Sequence, residues 1–258
     1  MHIPAGTYMV SRSLQIKGSN GTHDLAQSGK MYYHAAVTGD GKLSTVIKAS
    51  PHGSWGTATN SSNLAVVFFP SCCGPLPQSG AQFYLRDMNI QANQAADYGV
   101  LAPAVQSSLF QRIYVQGGLV GGLRLSWGWS NMIEDCEFES NYVGLLVTNA
   151  GNNVNIVNSV LVDNEVGLYL SGGMQQNIEG CVFEGNGGPA IVLFYTRATT
   201  INSNYFEGNN ARPLSPRGPS VCLRPVPSAL ASDTRSLRSG WRGCDERASF
   251  RDDCRSLW

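Results

Sequence analysis

A repeat of about 23 residues constrains this chain more than any other feature of its sequence. Six short alternating segments are centred on Ile90, Val115, Phe138, Leu161, Phe183 and Phe206, at steps of 25, 23, 23, 22 and 23 residues. Five of them end in Asn, as in Cys136-Glu137-Phe138-Glu139-Ser140-Asn141 and Cys181-Val182-Phe183-Glu184-Gly185-Asn186. A second column follows glycine: Val100, Leu123, Leu145 and Leu168, joined by Ile191 after Ala190. A third runs through Phe110, Ile133, Ile156, Ile178 and Ile201. Each unit therefore holds three short strands with period-two alternation.

Strands this short cannot bury a face alone, but stacked units can, each strand pairing with its counterpart one unit on at about 4.8 Å. The period-two pattern excludes a helical repeat. A leucine-rich repeat requires its own Leu spacing, which is absent. The expected fold is all-β, a single-stranded right-handed parallel β-helix of about 23 residues per rung. Asp135, Asn158 and Gly180 align at one bend, and Asn93, Asn141, Asn164, Asn186 and Asn209 at another. These residue types tolerate left-handed backbone, and stacked Asn side chains can bond along the axis, so a structural role is expected for them.

Composition sets the boundaries. Residues 1–210 hold 9 Lys+Arg against 13 Asp+Glu, whereas residues 211–258 hold 9 Arg against 5 Asp+Glu and no Lys, Ile, Asn, Gln, Met or Tyr. The break near Asn210 separates a β-helix domain, 1–210, from an Arg/Ser/Pro-rich tail, 211–258, expected to be disordered or an aberrant reading frame. Within the first domain, residues 1–80 read as loop-rich. The net charge is +0, without the basic excess of a nucleic-acid binder, and no nucleic-acid partner is expected. No apolar run reaches the roughly 18 residues that span a bilayer, so no membrane partner is expected either.

Residues 3–210 resemble the pectate lyase superfamily. The segments that carry the resemblance are Ile3-Pro4-Ala5-Gly6-Thr7-Tyr8-Met9-Val10, Gly39-Asp40-Gly41-Lys42 and Thr45-Val46-Ile47-Lys48-Ala49, together with the rungs behind them. This group includes rhamnogalacturonase- and epimerase-like domains and phage tailspikes. The resemblance implies a secreted protein that cleaves or binds polysaccharide, a lyase or a glycoside hydrolase; the alternative is a non-catalytic, tailspike-like glycan binder and a homotrimer. In that family a leader and capping helix precede the Pro-Ala-Gly-Thr-Tyr segment, so a truncated start is expected here. The fold hosts many chemistries, and its name alone does not choose among them.

The family's motif sets are not present. The rungs lack the Asn-Thr-Asp, Asp-Asp and Gly-His-Gly of polygalacturonase-like hydrolases, and Arg112-Ile113-Tyr114 is only a partial echo of Arg-Ile-Lys. The Asp-Pro-His-Glu of alginate epimerases is absent, and no oxygen-rich cluster supports calcium, so no cofactor or metal is expected. All four His precede the rungs, which makes His a poor candidate base.

The remaining candidates come from columns. Outward positions beside the glycine-led column are Leu101, Arg124, Leu146, Tyr169 and Val192, mostly apolar, as under a covering loop or partner. Arg124, Asp163, Glu165 and Tyr169 are the catalytic candidates: a cation, two carboxylates and a phenol for proton transfer and charge stabilisation. Trp127, Trp129, Tyr195 and Arg197 are the substrate-binding candidates, because aromatic rings stack on sugar faces and Arg pairs with carboxylates. The competing reading packs these aromatics under the segment 50–80. Glu139 and Glu184, two rungs or about 10 Å apart, read as a solvated face. Cys136 and Cys181 read as buried core thiols, and Cys72-Cys73 as a loop pair. Asn20-Gly21-Thr22 and Asn60-Ser61-Ser62 fit the glycosylation pattern.

Overall fold

The computed structural model describes residues 1–16, 33–55, 64–69, 81–103, 105–148 and 152–210, together with the backbone of Val221–Arg224. Cys72-Cys73, both glycosylation motifs and most of the tail lie outside the described residues. Every regular element described is a strand, and all named pairings are parallel. The strands wind as a right-handed parallel β-helix with three faces.

Face A stacks Tyr33–Thr38, the first half of Ala81–Gln91, the first half of Leu109–Gln116, Met132–Glu134, Asn155–Val157, Asn177–Glu179 and Thr200–Asn202. Face B stacks Gly6–Val10, Thr45–Ala49, the second halves of the 81–91 and 109–116 strands, Glu137–Glu139, Val160–Val162, Val182–Glu184 and Tyr205–Glu207. Face C is eight-stranded and includes Tyr98–Pro103, Gly121–Ser126, Val143–Thr148, Val166–Ser171 and Ile191–Phe194. It closes with Val221–Arg224, a strand beyond the compositional break at Asn210.

The three sequence columns are three inward stacks. Ile90, Val115, Phe138, Leu161, Phe183 and Phe206 are in register on face B. Phe110, Ile133, Ile156, Ile178 and Ile201 are in register on face A, and Val100, Leu123, Leu145, Leu168 and Ile191 on face C. Their central members are fully buried, as inward positions of a packed solenoid must be. The rungs also reach back into residues 1–69, where Ile47 joins the Ile90 stack and Val67 the Val100 stack. This N-terminal third is a set of ordinary rungs interrupted by long connections.

Two of the bends use left-handed residues in columns. Between faces A and B these are Asp87, Arg112, Asp135, Asn158, Gly180 and Ser203; between faces B and C, Gly117, Ser140, Asp163, Gly185 and Gly208. Next to the second set stands a buried amide ladder. Asn141 Oδ1 accepts from Gly118 N–H at 2.9 Å, Asn164 Oδ1 from Asn141 N–H at 3.0 Å and Asn186 Oδ1 from Asn164 N–H at 3.0 Å. The side-chain amides donate in turn to Val115 O, Phe138 O and Leu161 O. Asn93 stands outside this ladder: it is itself left-handed and its Nδ2 donates to Ala49 O at 3.1 Å. Gly118 fills its register position one rung on and brings no amide.

Cys136 and Cys181 are buried free thiols in one inward column, with Ser159 between them. Removal from water pushes the Cys136 thiol up to about 12, which fits an inert core residue.

Candidate functional site

The expected catalytic and binding residues do not converge. They divide between the two sides of face C. Asp163 and Glu165 lie at the turn from face B to face C, whereas Trp127, Trp129, Tyr195 and Arg197 lie at the turn from face C to face A. A six-residue strand such as Val143–Thr148 separates those turns, about 20 Å of extended chain.

Arg124 and Tyr169 occupy neither turn. They sit in one outward column of face C with Leu101, Leu146 and Val192. That column is covered: Leu146 is 2% exposed and Tyr169 4%, in an apolar cluster with Tyr98, Val120, Val143 and Val166. The Arg124 guanidinium lies 5.6 Å from the centre of the Tyr98 ring, and its Nη1 donates to Tyr98 Oη at 3.1 Å. The column that carries Arg124 and Tyr169 is therefore a closed apolar layer rather than an open cleft. Leu101, Leu146 and Val192, which suggested a trimer contact, are buried within the single chain.

Asp163 and Glu165 border an open groove of about 590 Å³ that follows the solenoid axis. The amide ladder builds it. Asn164 turns inward to Phe138 O and Val162 O, which leaves its two neighbours at the rims. One rim is the left-handed column Ser140, Asp163 and Gly185; the other is Gln94, Leu119, Tyr142, Glu165 and Gly187. Gly118, Asn141 and Asn164 line the space between. Asp163 and Glu165 thus flank the floor on a single rung, with a hydroxyl and a phenol on the rung before and two glycines on the rung after.

Gly185 is part of this design. A Cβ there would stand 2.6 Å from Asp163 Oδ1, so the absent side chain makes room for the carboxylate. Among the described residues that line it, none is Lys, Arg or His. Tyr142 and Leu119 were not anticipated as site residues. Their signal is positional, since each follows the ladder position of its rung.

Several other acidic residues are engaged elsewhere. Tyr114 donates its hydroxyl to Glu139 on the outer side of face B, and burial with that carboxylate beside it raises the phenol well above its ordinary value. Glu137 pairs with Lys42 at 2.9 Å. Asp87 accepts a two-pronged contact from Arg112, at 2.6 and 2.9 Å, at the bend between faces A and B.

Sequence and structure comparisons agree on what carries this groove. The model of the right-handed β-helix region matches residues 78–221, more than half of the 258 residues. The chain belongs to this β-helix family. The solenoid also fits the pectate lyase-like superfamily that the sequence resembles. Among solved structures, Geobacillus virus E2 ORF18 is similar at a TM-score of 0.55 and 16% identity, over 80% of this chain and 39% of that one. The A-module of the Azotobacter vinelandii mannuronan C-5 epimerase AlgE4 gives 0.47 and 14%, over 79% and 67%. The gp42 tailspike of Acinetobacter phage vb_AbaP_AS12 gives 0.47 and 15%, over 81% and 38%. The chain spans about two fifths of the viral ORF18 protein, and likeness to it at 16% identity shows the β-helix fold alone. No curated protein matches the chain in sequence.

Proposed function

We propose that this β-helix protein hydrolyses a neutral polysaccharide in the groove between faces B and C, outside the cell or at its surface. The observation that carries the reading is the pairing of Asp163 and Glu165 in an open axial groove with no cationic side chain among the described lining residues. β-Elimination on a uronate needs a base and also a cation beside the carboxylate as negative charge develops. This lining supplies the reverse field, two carboxylates that repel an acidic sugar. Hydrolysis needs two carboxyl groups: one protonates the departing glycosidic oxygen, and the other activates water or attacks the anomeric carbon. Ser140 and Tyr142 bring hydroxyl groups for sugar hydroxyls alongside.

The test follows reducing ends and absorbance at 235 nm together, with the full chain on xylan, mannan, β-glucan, α-glucan and polygalacturonate. New reducing ends from a neutral glycan, without absorbance, are expected. Asp163→Asn and Glu165→Gln should each lower the rate about 100-fold or more, the usual cost of losing an acid–base group, with the circular dichroism unchanged. Absorbance at 235 nm on polygalacturonate, or full activity in both variants, overturns the reading. A second reading, binding without cleavage, draws on the contact between Asp163 and Gly185, which gives that carboxylate a packing role. It predicts retention on a glycan with no new ends.

A further inference from the structure

We infer that Asn186-Gly187 is a self-modification site, where opening of the Tyr205–Glu207 strand lets one amide of the ladder convert, one way, to a carboxylate. The ladder residues Asn141, Asn164, Asn186 and Asn209 are followed by Tyr142, Glu165, Gly187 and Asn210. An asparagine is lost when the backbone nitrogen of the next residue attacks its side-chain carbonyl carbon. The new N–Cγ bond closes a cyclic imide, and Nδ2 departs as ammonia, taking up by way of water the proton that the attacking amide gives up. A second water then opens the imide at either carbonyl, to aspartate or to isoaspartate. The attack is least hindered where the next residue carries no Cβ, and Asn186 is the ladder residue with that neighbour.

The closed ladder ties down the groups this reaction uses. Asn186 is fully buried. Its Oδ1 accepts from Asn164 N–H at 3.0 Å and from Asn164 Nδ2 at 3.2 Å. Its Nδ2, the leaving nitrogen, donates to Leu161 O at 2.9 Å and to Asn209 Oδ1 at 2.7 Å. The attacking Gly187 N–H donates to Asn164 O at 2.7 Å. That amide has to lose its proton to water and turn toward Cγ, and these bonds prevent both. Protection is weaker on one side. Asn164 and Leu161 are buried, whereas Asn209 is half-buried and follows Tyr205–Glu207, a strand exposed at all three residues. A rung is held only by its neighbours, so this one opens more readily than the central ones. Its opening frees Nδ2 from Asn209 and lets water reach the pair.

The product does not fit back into the ladder. A carboxylate at 186 has no proton to give to Leu161 O or Asn209 Oδ1, and closing the rung over it would bury an unpaired charge. The Tyr205–Glu207 strand therefore stays loosened once the reaction has run. The change also lands at the groove, because Gly185 and Gly187 line it beside Asp163. A third negative charge is set between those two glycines. The modification itself does not depend on what the groove does.

The test is peptide mapping of the full chain after incubation at mildly alkaline pH, in buffer and in denaturing urea. Cleavage after Glu184 and Glu207 releases residues 185–207, in which tandem mass spectrometry follows Asn186 to aspartate and isoaspartate. Conversion in buffer should run at least about tenfold slower than in urea, because it waits for local opening. Phe206→Ala, which loosens the Tyr205–Glu207 strand, should raise the rate in buffer about tenfold. Urea below the unfolding midpoint should do the same to the parent chain, and it replaces the variant if that does not fold. Gly187→Ala should slow conversion in urea as well as in buffer, which direct hydrolysis of the side chain would not show. Asn186→Asp should lower the Tm by several degrees and speed hydrogen exchange in Tyr205–Glu207. Equal rates in buffer and urea, a rate in buffer that neither loosening changes, a rate in urea that Gly187→Ala leaves unchanged, or an Asn186→Asp chain as stable as the parent overturns the proposal.

Discussion

At the residue scale, the side chains that matter most to the site are ones that never touch a ligand. Asn164 closes the floor of the groove. Its Oδ1 accepts from the Asn141 backbone at 3.0 Å and from Asn141 Nδ2 at 3.1 Å, while its own amide donates to Phe138 O at 2.9 Å. Asn164 is 1% exposed, so water cannot replace those partners. Leaving a buried donor or acceptor unpaired costs about 1–3 kcal/mol, and here at least two groups would be orphaned. Asn164→Ala should therefore destabilise the chain by about 3 kcal/mol in urea unfolding. Asn155→Ala on the outer side of face A should cost within about 0.5 kcal/mol, as surface changes do. Equal losses in the two variants would show that the ladder carries no special share of the stability. Asn164→Ala should also weaken the groove, because Asp163 and Glu165 depend on that residue for their positions.

At the element scale, the glycine-led strands and the amide ladder fit one another. A Cβ on Gly144 would stand 2.7 Å from Gly167 O and 3.0 Å from Asn164 Nδ2; at Gly122 the same meeting is with Gly144 O and Asn141 Nδ2. The ladder occupies the space a side chain would take, which explains why glycine recurs before Leu123, Leu145 and Leu168. A glycine-to-alanine change at a compatible site stabilises by about 0.4–1 kcal/mol through the unfolded chain. Overpacking at a closed site costs about 1–3 kcal/mol and wins here, so Gly144→Ala should lower stability by about 2 kcal/mol. A Tm at or above that of the parent would refute the interlock.

The same elements show what the sequence could disclose. Rungs from Met88 to Asn209 were legible because like residues recur in register, and period-two alternation admits only a strand. The rungs built from residues 1–69 were not, since Ile47 pairs with Ile90 across 43 positions that include long insertions. Asp163 and Glu165 were readable as a pair because they flank a ladder Asn. Arg124 and Tyr169 fall in the outward column that the sequence assigns them, but an outward position does not reveal how fully it is covered. That the candidates divide between two turns follows from which bend each residue occupies, and sequence proximity does not report that.

At the scale of the whole molecule, a solenoid joins each rung only to its neighbours, so stability should be graded along the axis. Phe183 and Phe206 make the contrast. Both belong to the same face B stack, with ring centroids 5.2 Å apart and nearly parallel planes. Phe183 is fully buried between rungs, whereas Phe206 is 36% exposed on the last face B strand. Truncating a buried Phe costs about 3–5 kcal/mol, of which a partly solvated ring at the end of the stack forfeits only a fraction. In hydrogen exchange, Phe206→Ala should speed exchange in Tyr205–Glu207 and leave Glu137–Glu139 as protected as before. Phe183→Ala should expose Val160–Val162 and Tyr205–Glu207 together, because it removes the contact that both neighbouring rungs share. Uniform loss of protection in both variants would mean that coupling between rungs is strong enough for them to unfold as one unit, against the graded stability expected here. Graded loss would leave the groove, which lies along the central rungs, in the part of the molecule that opens last.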